Sequence, residues 1–142
     1  DQAFVTVEGS DIDSLDDLEG AQVAVQSATT GEAYTESIAE QYGTLDRSFE
    51  AMGEIASALS SGTVQASIAD LATWTEMVEV ADGLVLTESI ETDEQYAFAV
   101  AKDDTELLEE VNAMLDEAFA NGDYAEIYEK WIGEPYTGDL TD

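Results

Sequence analysis

The sequence predicts an α/β domain, a mostly parallel sheet with flanking helices, followed by two C-terminal helices. Three observations predict it. Short apolar runs of strand length alternate with amphipathic stretches from Phe4 to Ala101. Hydroxyls or acids stand before several of the amphipathic stretches and glycine closes several of them, as helix caps do. From Asp103 onward the apolar residues recur with the period of a helix alone.

The elements follow in order. Phe4 to Glu8 alternates and reads as a strand leading into Gly9-Ser10. Ser14 to Gly20 has a serine cap, acids in its first turn and a closing glycine, which predicts a short helix. Val23-Ala24-Val25-Gln26 is a short buried strand. Thr29-Thr30-Gly31-Glu32 opens a helix that runs to about Tyr42 and closes at Gly43. Ser48-Phe49 lies in a strand, and Gly53 to Ser61 form a helix with Ile55, Ala58 and Leu59 on one face. Ala66 to Asp70 is a buried strand ending in an acid, Leu71 to Val80 a helix, Leu84 to Leu86 a strand, and Tyr96 to Ala101 a longer strand. This alternation implies parallel strands joined by helical crossovers. Leu107, Leu108, Val111, Met114, Leu115, Ala118 and Phe119 then form one apolar stripe, ended by Asn121-Gly122, and Tyr124 to Trp131 make a second helix. Both need an apolar partner. The tail from Gly133 is polar, with the single proline at Pro135.

Composition narrows the function. The 142 residues, 44% apolar, suffice for one compact domain with a core. There is no cysteine and no histidine, which excludes disulfides, thiol nucleophiles, histidine-based triads and the usual zinc sites. Neither a metal nor a cofactor is expected. Against 34 acidic residues stand only Arg47, Lys102 and Lys130, a formal net charge of −31. Nucleic acid is excluded as a partner, because a phosphate backbone needs clustered cations, and an anionic membrane surface is disfavoured for the same reason. Self-repulsion of this size strains a compact state, and it is relieved when the Debye length falls to about 3 Å near molar salt. The composition suits a halophilic source. Apolar runs are too short for a spanning helix, and Asp1-Gln2-Ala3-Phe4 lacks the features of a signal peptide, so this segment is not expected to insert into a membrane.

Two places could carry chemistry, since ligands of open α/β sheets bind at the carboxyl ends of strands beside helix N-termini. The first is the turn Gln26 to Gly31, whose Thr29 and Thr30 offer hydroxyls and backbone N–H groups to a carboxylate, and which equally reads as an ordinary helix cap. The second is Asp70, placed after an apolar strand and before a helix, where it could cap that helix or accept a ligand ammonium. Together they match the two poles of a zwitterionic amino acid. Paired acids such as Asp16-Asp17, Asp103-Asp104 and Glu109-Glu110 read as solvated surface, and Trp74, Trp131 and the methionines as core.

With these residues in view, the sequence resembles the family 3 extracellular solute-binding proteins, the polar amino-acid-binding group with the two-lobed type II periplasmic-binding fold. The likeness runs in order from Ile12 to Gly133, through Ser14 to Gln26, Ala28 to Glu32, Ala58 to Gly62, Ala66 to Asp70, Ala101 to Asp104, Val111 to Leu115 and Asn121 to Gly133. It implies that Asp70 holds the ligand α-ammonium, Thr29 and Thr30 the α-carboxylate, and that Gln26 touches the ligand side chain. It also implies lobe two with hinge strands at both ends over residues 1–101, a helical segment that packs on lobe one over 102–133, and a polar tail over 134–142. The chain would then be a fragment carrying half a site, without the arginine and the aromatic that the family's lobe one supplies. Ala28 stands where the family usually has glycine, Gln65 where aspartate is typical and Ala97 where glycine is common.

The function implied is the substrate-binding component of an amino-acid ABC transporter. It is extracytoplasmic, lipid-anchored in the full-length protein, docks on a membrane permease, and is not an enzyme. Self-association through the C-terminal helices is a further expectation. The alternatives on the same scaffold are an enzyme of dehydratase type and the sensory input domain of a receptor.

Overall fold

The computed structural model describes residues 1–92, 95–132, 135, 136 and 138. Strand β1 (Gln2–Val7) is followed by a single 3-10 turn (Leu15–Asp17), β2 (Gln22–Gln26), α1 (Thr30–Tyr42), β3 (Leu45–Phe49), α2 (Met52–Ser60), β4 (Ala66–Asp70), α3 (Leu71–Val80) and β5 (Leu84–Ile90). Helices α4 (Thr105–Asn121) and α5 (Asp123–Ile132) complete the chain. Two compact units result, Asp1–Glu94 and Gln95–Asp142.

The α/β class read from the sequence is observed. The five strands form one sheet in the order β3-β2-β4-β1-β5. β2 pairs in parallel with β3 and β4, as helical crossovers require, whereas β1 pairs antiparallel with β4 and β5. Four strands therefore point one way and β1 runs against them, so the sheet is mixed and its parallel ladders are confined to β3, β2 and β4. This reversal has a functional consequence: the first residue of β1 lies beside the last residue of β4, with Gln2 paired to Asp70.

Strand alternation sorts the core into two layers. Phe4, Val23, Ala66, Ile68 and Ile90 pack with Leu18, Tyr34 and Ile38 on the α1 side. Ala3, Val5, Ala24, Ala69 and Leu84 pack with Ile55, Leu59, Val64 and Trp74 on the side of α2 and α3. Buried hydroxyls within these layers are satisfied locally: Ser67 Oγ donates to the Ala24 carbonyl at 2.8 Å and Thr35 Oγ1 to the Gly31 carbonyl at 2.8 Å.

Two expected elements differ. The helix read over Ser14 to Gly20 contracts to one 3-10 turn, with Asp17 Oδ2 accepting from the Ser14 backbone at 3.0 Å. The strand read over Tyr96 to Ala101 is not formed, and Tyr96 and Phe98 are 76% and 67% exposed. Alternation makes a segment fit to be a strand, but a strand exists only where a second backbone pairs with it. No strand occurs among the described residues of the second unit.

In that second unit Asp104 caps α4 by accepting the Leu107 N–H at 3.1 Å, and Gly122, at φ 87°, closes it. The rings of Phe119, Tyr124, Tyr128 and Tyr136 stack edge to face, with Phe119 and Tyr124 centred 4.6 Å apart. Neither helix contains a buried residue, and Trp131 is 72% exposed. Of the polar tail expected over 134–142, only Pro135, Tyr136 and Gly138 fall among the described residues. No helix among the described residues is long and apolar enough to cross a membrane.

Candidate ligand-binding site

Parallel neighbours end on the same rim of a sheet, and β2 and β4 are such neighbours, paired at Val23 with Ala66 and Ala24 with Ser67. Their carboxyl ends, leading to α1 and α3, are thus about 4.8 Å apart in the pairing direction. This brings the Thr29-Thr30 turn and Asp70 to one rim. β1, entering from the opposite direction, adds Gln2 to the same rim.

The turn between β2 and α1 is built by its own side chains. Ala28 adopts φ 59°, the left-handed conformation that favours glycine, which accounts for the glycine expected here from the resemblance. Thr29 caps α1: its Oγ1 accepts from the Glu32 N–H at 3.3 Å and donates to the Gln26 carbonyl at 2.7 Å. Glu32 reaches back, one carboxylate oxygen accepting the Ala28 N–H at 2.7 Å and the other accepting from the Ser48 hydroxyl on β3. These two bonds, the one from Ser48 first, hold the Glu32 carboxyl below its ordinary range against a smaller opposing effect of burial. A negative charge in the first turn also suits the helix dipole.

Thr30 begins the helix proper, and its Oγ1 accepts a hydrogen bond from Gln2 Nε2 at 3.1 Å. Gly31 lets this turn lie against β4. A Cβ there would stand 2.9 Å from Gln2 Oε1, 3.1 Å from Ala69 Cα and 3.2 Å from the Ile68 carbonyl, with backbone on two of the three sides. Asp70 ends β4 and caps α3, its Oδ1 accepting from the Thr73 N–H at 3.0 Å and the Thr73 hydroxyl at 3.3 Å. Gln26 is turned toward the β3 edge, donating from Nε2 to the Glu50 carbonyl at 3.2 Å.

The cap readings of Thr29 and Asp70 are therefore observed. Because the Thr29 hydroxyl donates to Gln26, an anion at this turn would meet the first-turn N–H groups and the neighbouring Thr30 rather than the Thr29 proton. Sequence reasoning did not single out Gln2 or Ser48. Glu32, three residues after a threonine cap, carries the capping-box spacing, but a glutamine at the start of a strand carries no comparable signal.

Known proteins resemble this chain in sequence and in fold. The model of the bacterial extracellular solute-binding proteins, family 3, matches residues 1–134. Over 134 residues the chain is 34% identical to the ABC transporter glutamine-binding protein GlnH of Bacillus subtilis (strain 168), covering 94% of this chain and 48% of that protein. An ancestral arginine-binding protein bound to glutamine superposes with a TM-score of 0.80 at 37% identity, over 94% of this chain and 60% of the other. Domain 2 from TmArgBP matches with a TM-score of 0.58 at 27% identity, over 63% of this chain and 97% of that domain.

The chain shares its fold with these amino-acid-binding proteins. The chain belongs to the bacterial extracellular solute-binding proteins, family 3. It spans about half the length of the curated relative it matches.

Proposed function

We propose that this chain is the lobe-two portion, with the C-terminal return segment, of the substrate-binding component of an amino-acid ABC transporter. One observation carries the proposal: the Thr29-Thr30 helix start and Asp70 share one rim of a single sheet, on adjacent parallel strands. Asp70 accepts the α-ammonium of the ligand, the Thr29-Thr30 turn holds its α-carboxylate through the first-turn N–H groups and the Thr30 hydroxyl, and Gln26 contacts its side chain. Charge-assisted hydrogen bonds at both poles fix the orientation of the zwitterion. The ligand is a polar amino acid, with glutamine and arginine first in line because the similar proteins are described as binding them.

In the intact protein a second lobe closes over the ligand about a hinge, and the closed form docks on the membrane permease. Residues 1–101 form lobe two with the segments that hinge it to lobe one, 102–133 the helical segment that packs on lobe one, and 134–142 the tail. The exposed apolar residues of α4 and α5, Leu107, Met114, Ile127 and Trp131, support such packing, and self-association of the isolated chain through them follows from the same exposure. The protein works outside the cytoplasm on a lipid anchor, in concentrated salt, as a binding protein without catalysis.

Calorimetry of the intact protein in molar salt against a panel of polar amino acids tests the proposal. Saturable binding of at least one is expected. No heat from any of them, with the protein folded, would overturn it.

A further inference from the structure

We infer that Gln2 is a positioning residue of the carboxylate half of this site, holding the Thr30 hydroxyl at the rim through its side-chain amide. The inference rests on the ligand reading of Thr30 proposed above and assigns a role to a residue on a different strand.

Gln2 is 1% exposed, yet it lies on the α1 side of the sheet, where the next residue facing the same way, Phe4, packs with Val23, Ala66, Ile68 and Ile90. An amide buried there is costly unless hydrogen-bonded, and an apolar residue of the same volume would serve mere packing better. The amide does make a specific bond, from Nε2 to Thr30 Oγ1 at 3.1 Å, and its backbone pairs with Asp70. One residue thus links the start of β1, the end of β4 and the start of α1, the three elements that form the rim. The missing side chain of Gly31 completes the fit, since a Cβ there would stand only 2.9 Å from Gln2 Oε1 and be crowded by the β4 backbone. Accepting from Gln2 fixes the azimuth of the Thr30 hydroxyl, so Gln2 acts on the ligand through Thr30 without touching it.

The test uses the intact protein in molar salt, with calorimetry of L-glutamine and L-arginine, each beside its α-amide, in which the carboxylate charge is gone. Gln2→Leu is expected to weaken the binding amino acid about tenfold, the effect of one hydrogen bond of ordinary strength, and its α-amide less than threefold. In a Thr30→Val background the same change is expected to have less than a twofold effect. A purely structural role would weaken amino acid and α-amide alike and would persist without the Thr30 hydroxyl, and either result overturns the inference. So does undiminished affinity in folded Gln2→Leu. If that variant does not fold, Gln2→Met, of similar length but without the donor, is measured with the same expectations. Failure of the unaltered protein to bind any polar amino acid is a different result: it removes the proposed function itself.

Discussion

The carboxylate of Glu32 accepts the backbone N–H of Ala28 at 2.7 Å, and Ala28 itself sits at φ 59°. A strained residue and the side chain that holds it are thus four positions apart, on either side of the helix cap. The loop that presents Thr29 and Thr30 is fixed by this pair and by the Ser48 hydroxyl on β3.

The strain at Ala28 is open to substitution. A left-handed conformation costs an L-residue about 1–2 kcal/mol, partly offset by the chain entropy that glycine loses on folding, about 0.5–1 kcal/mol. Ala28→Gly is expected to raise stability by up to about 1 kcal/mol and Ala28→Val to lower it by more than that. Equilibrium denaturation in molar salt checks both signs. A more stable valine variant would contradict the assigned backbone conformation.

Glu32 gives the loop a defined pH dependence. Its carboxyl is held below the ordinary 4.5 in the folded chain, so the charged form is favoured by folding. The stability it contributes is fully present above 4.5 and is lost as the pH falls through the lower folded value. Glu32→Gln is therefore expected to destabilise the protein at pH 7, with the gap to the unaltered chain closing at acid pH. Unfolding midpoints measured from pH 7 to pH 3 report the gap; one that widens on acidification would contradict the assignment.

At Asp70 the cap and the charge are separable. Asparagine caps a helix about as well as aspartate, whereas alanine costs about 1 kcal/mol. Asp70→Asn is thus expected to keep nearly full stability and lose about 10- to 100-fold in amino-acid affinity, the range for a hydrogen bond to a charged group. Asp70→Ala is expected to lose both. Calorimetry beside thermal unfolding distinguishes them, and full affinity in the asparagine variant would show Asp70 to be a cap alone.

The net charge of −31 predicts a protein stabilised by salt. Screening shortens the Debye length from about 10 Å at 0.1 M to about 3 Å at 1 M, and the repulsion among 34 acids against three cations falls with it. The unfolding temperature is expected to climb steadily up to molar sodium chloride. A flat profile would contradict a halophilic setting.

Much of the architecture was legible because local signals and tertiary structure agree. Leu71–Val80 is the helix read from the sequence, bounded by Asp70, and Thr29 and Gly43 mark the ends of α1. The rim of Thr29, Thr30 and Asp70 was legible for a topological reason, since consecutive crossovers make β2 and β4 point the same way. What could not be read depends on pairing between distant segments. β5 runs on to Ile90, beyond the apolar Leu84 to Leu86, because its polar residues pair with β1 and Thr87 meets Thr6 across the ladder at 2.9 Å. The alternation of Tyr96 to Ala101 forms no strand among the described residues, although nothing local distinguishes it from Phe4 to Glu8, most of which lies in β1. Gln2 is the clearest case: its place beside Asp70 follows from the reversed direction of β1, which no residue near it announces.

A structure of the intact protein crystallised from molar salt with the amino acid that binds in calorimetry bears most directly on the site. The ligand α-ammonium is predicted within about 3 Å of an Asp70 carboxylate oxygen, and its α-carboxylate at the Thr29-Thr30 helix start. A ligand held by other residues, with both Asp70 oxygens engaged only by the protein, would contradict the assignment.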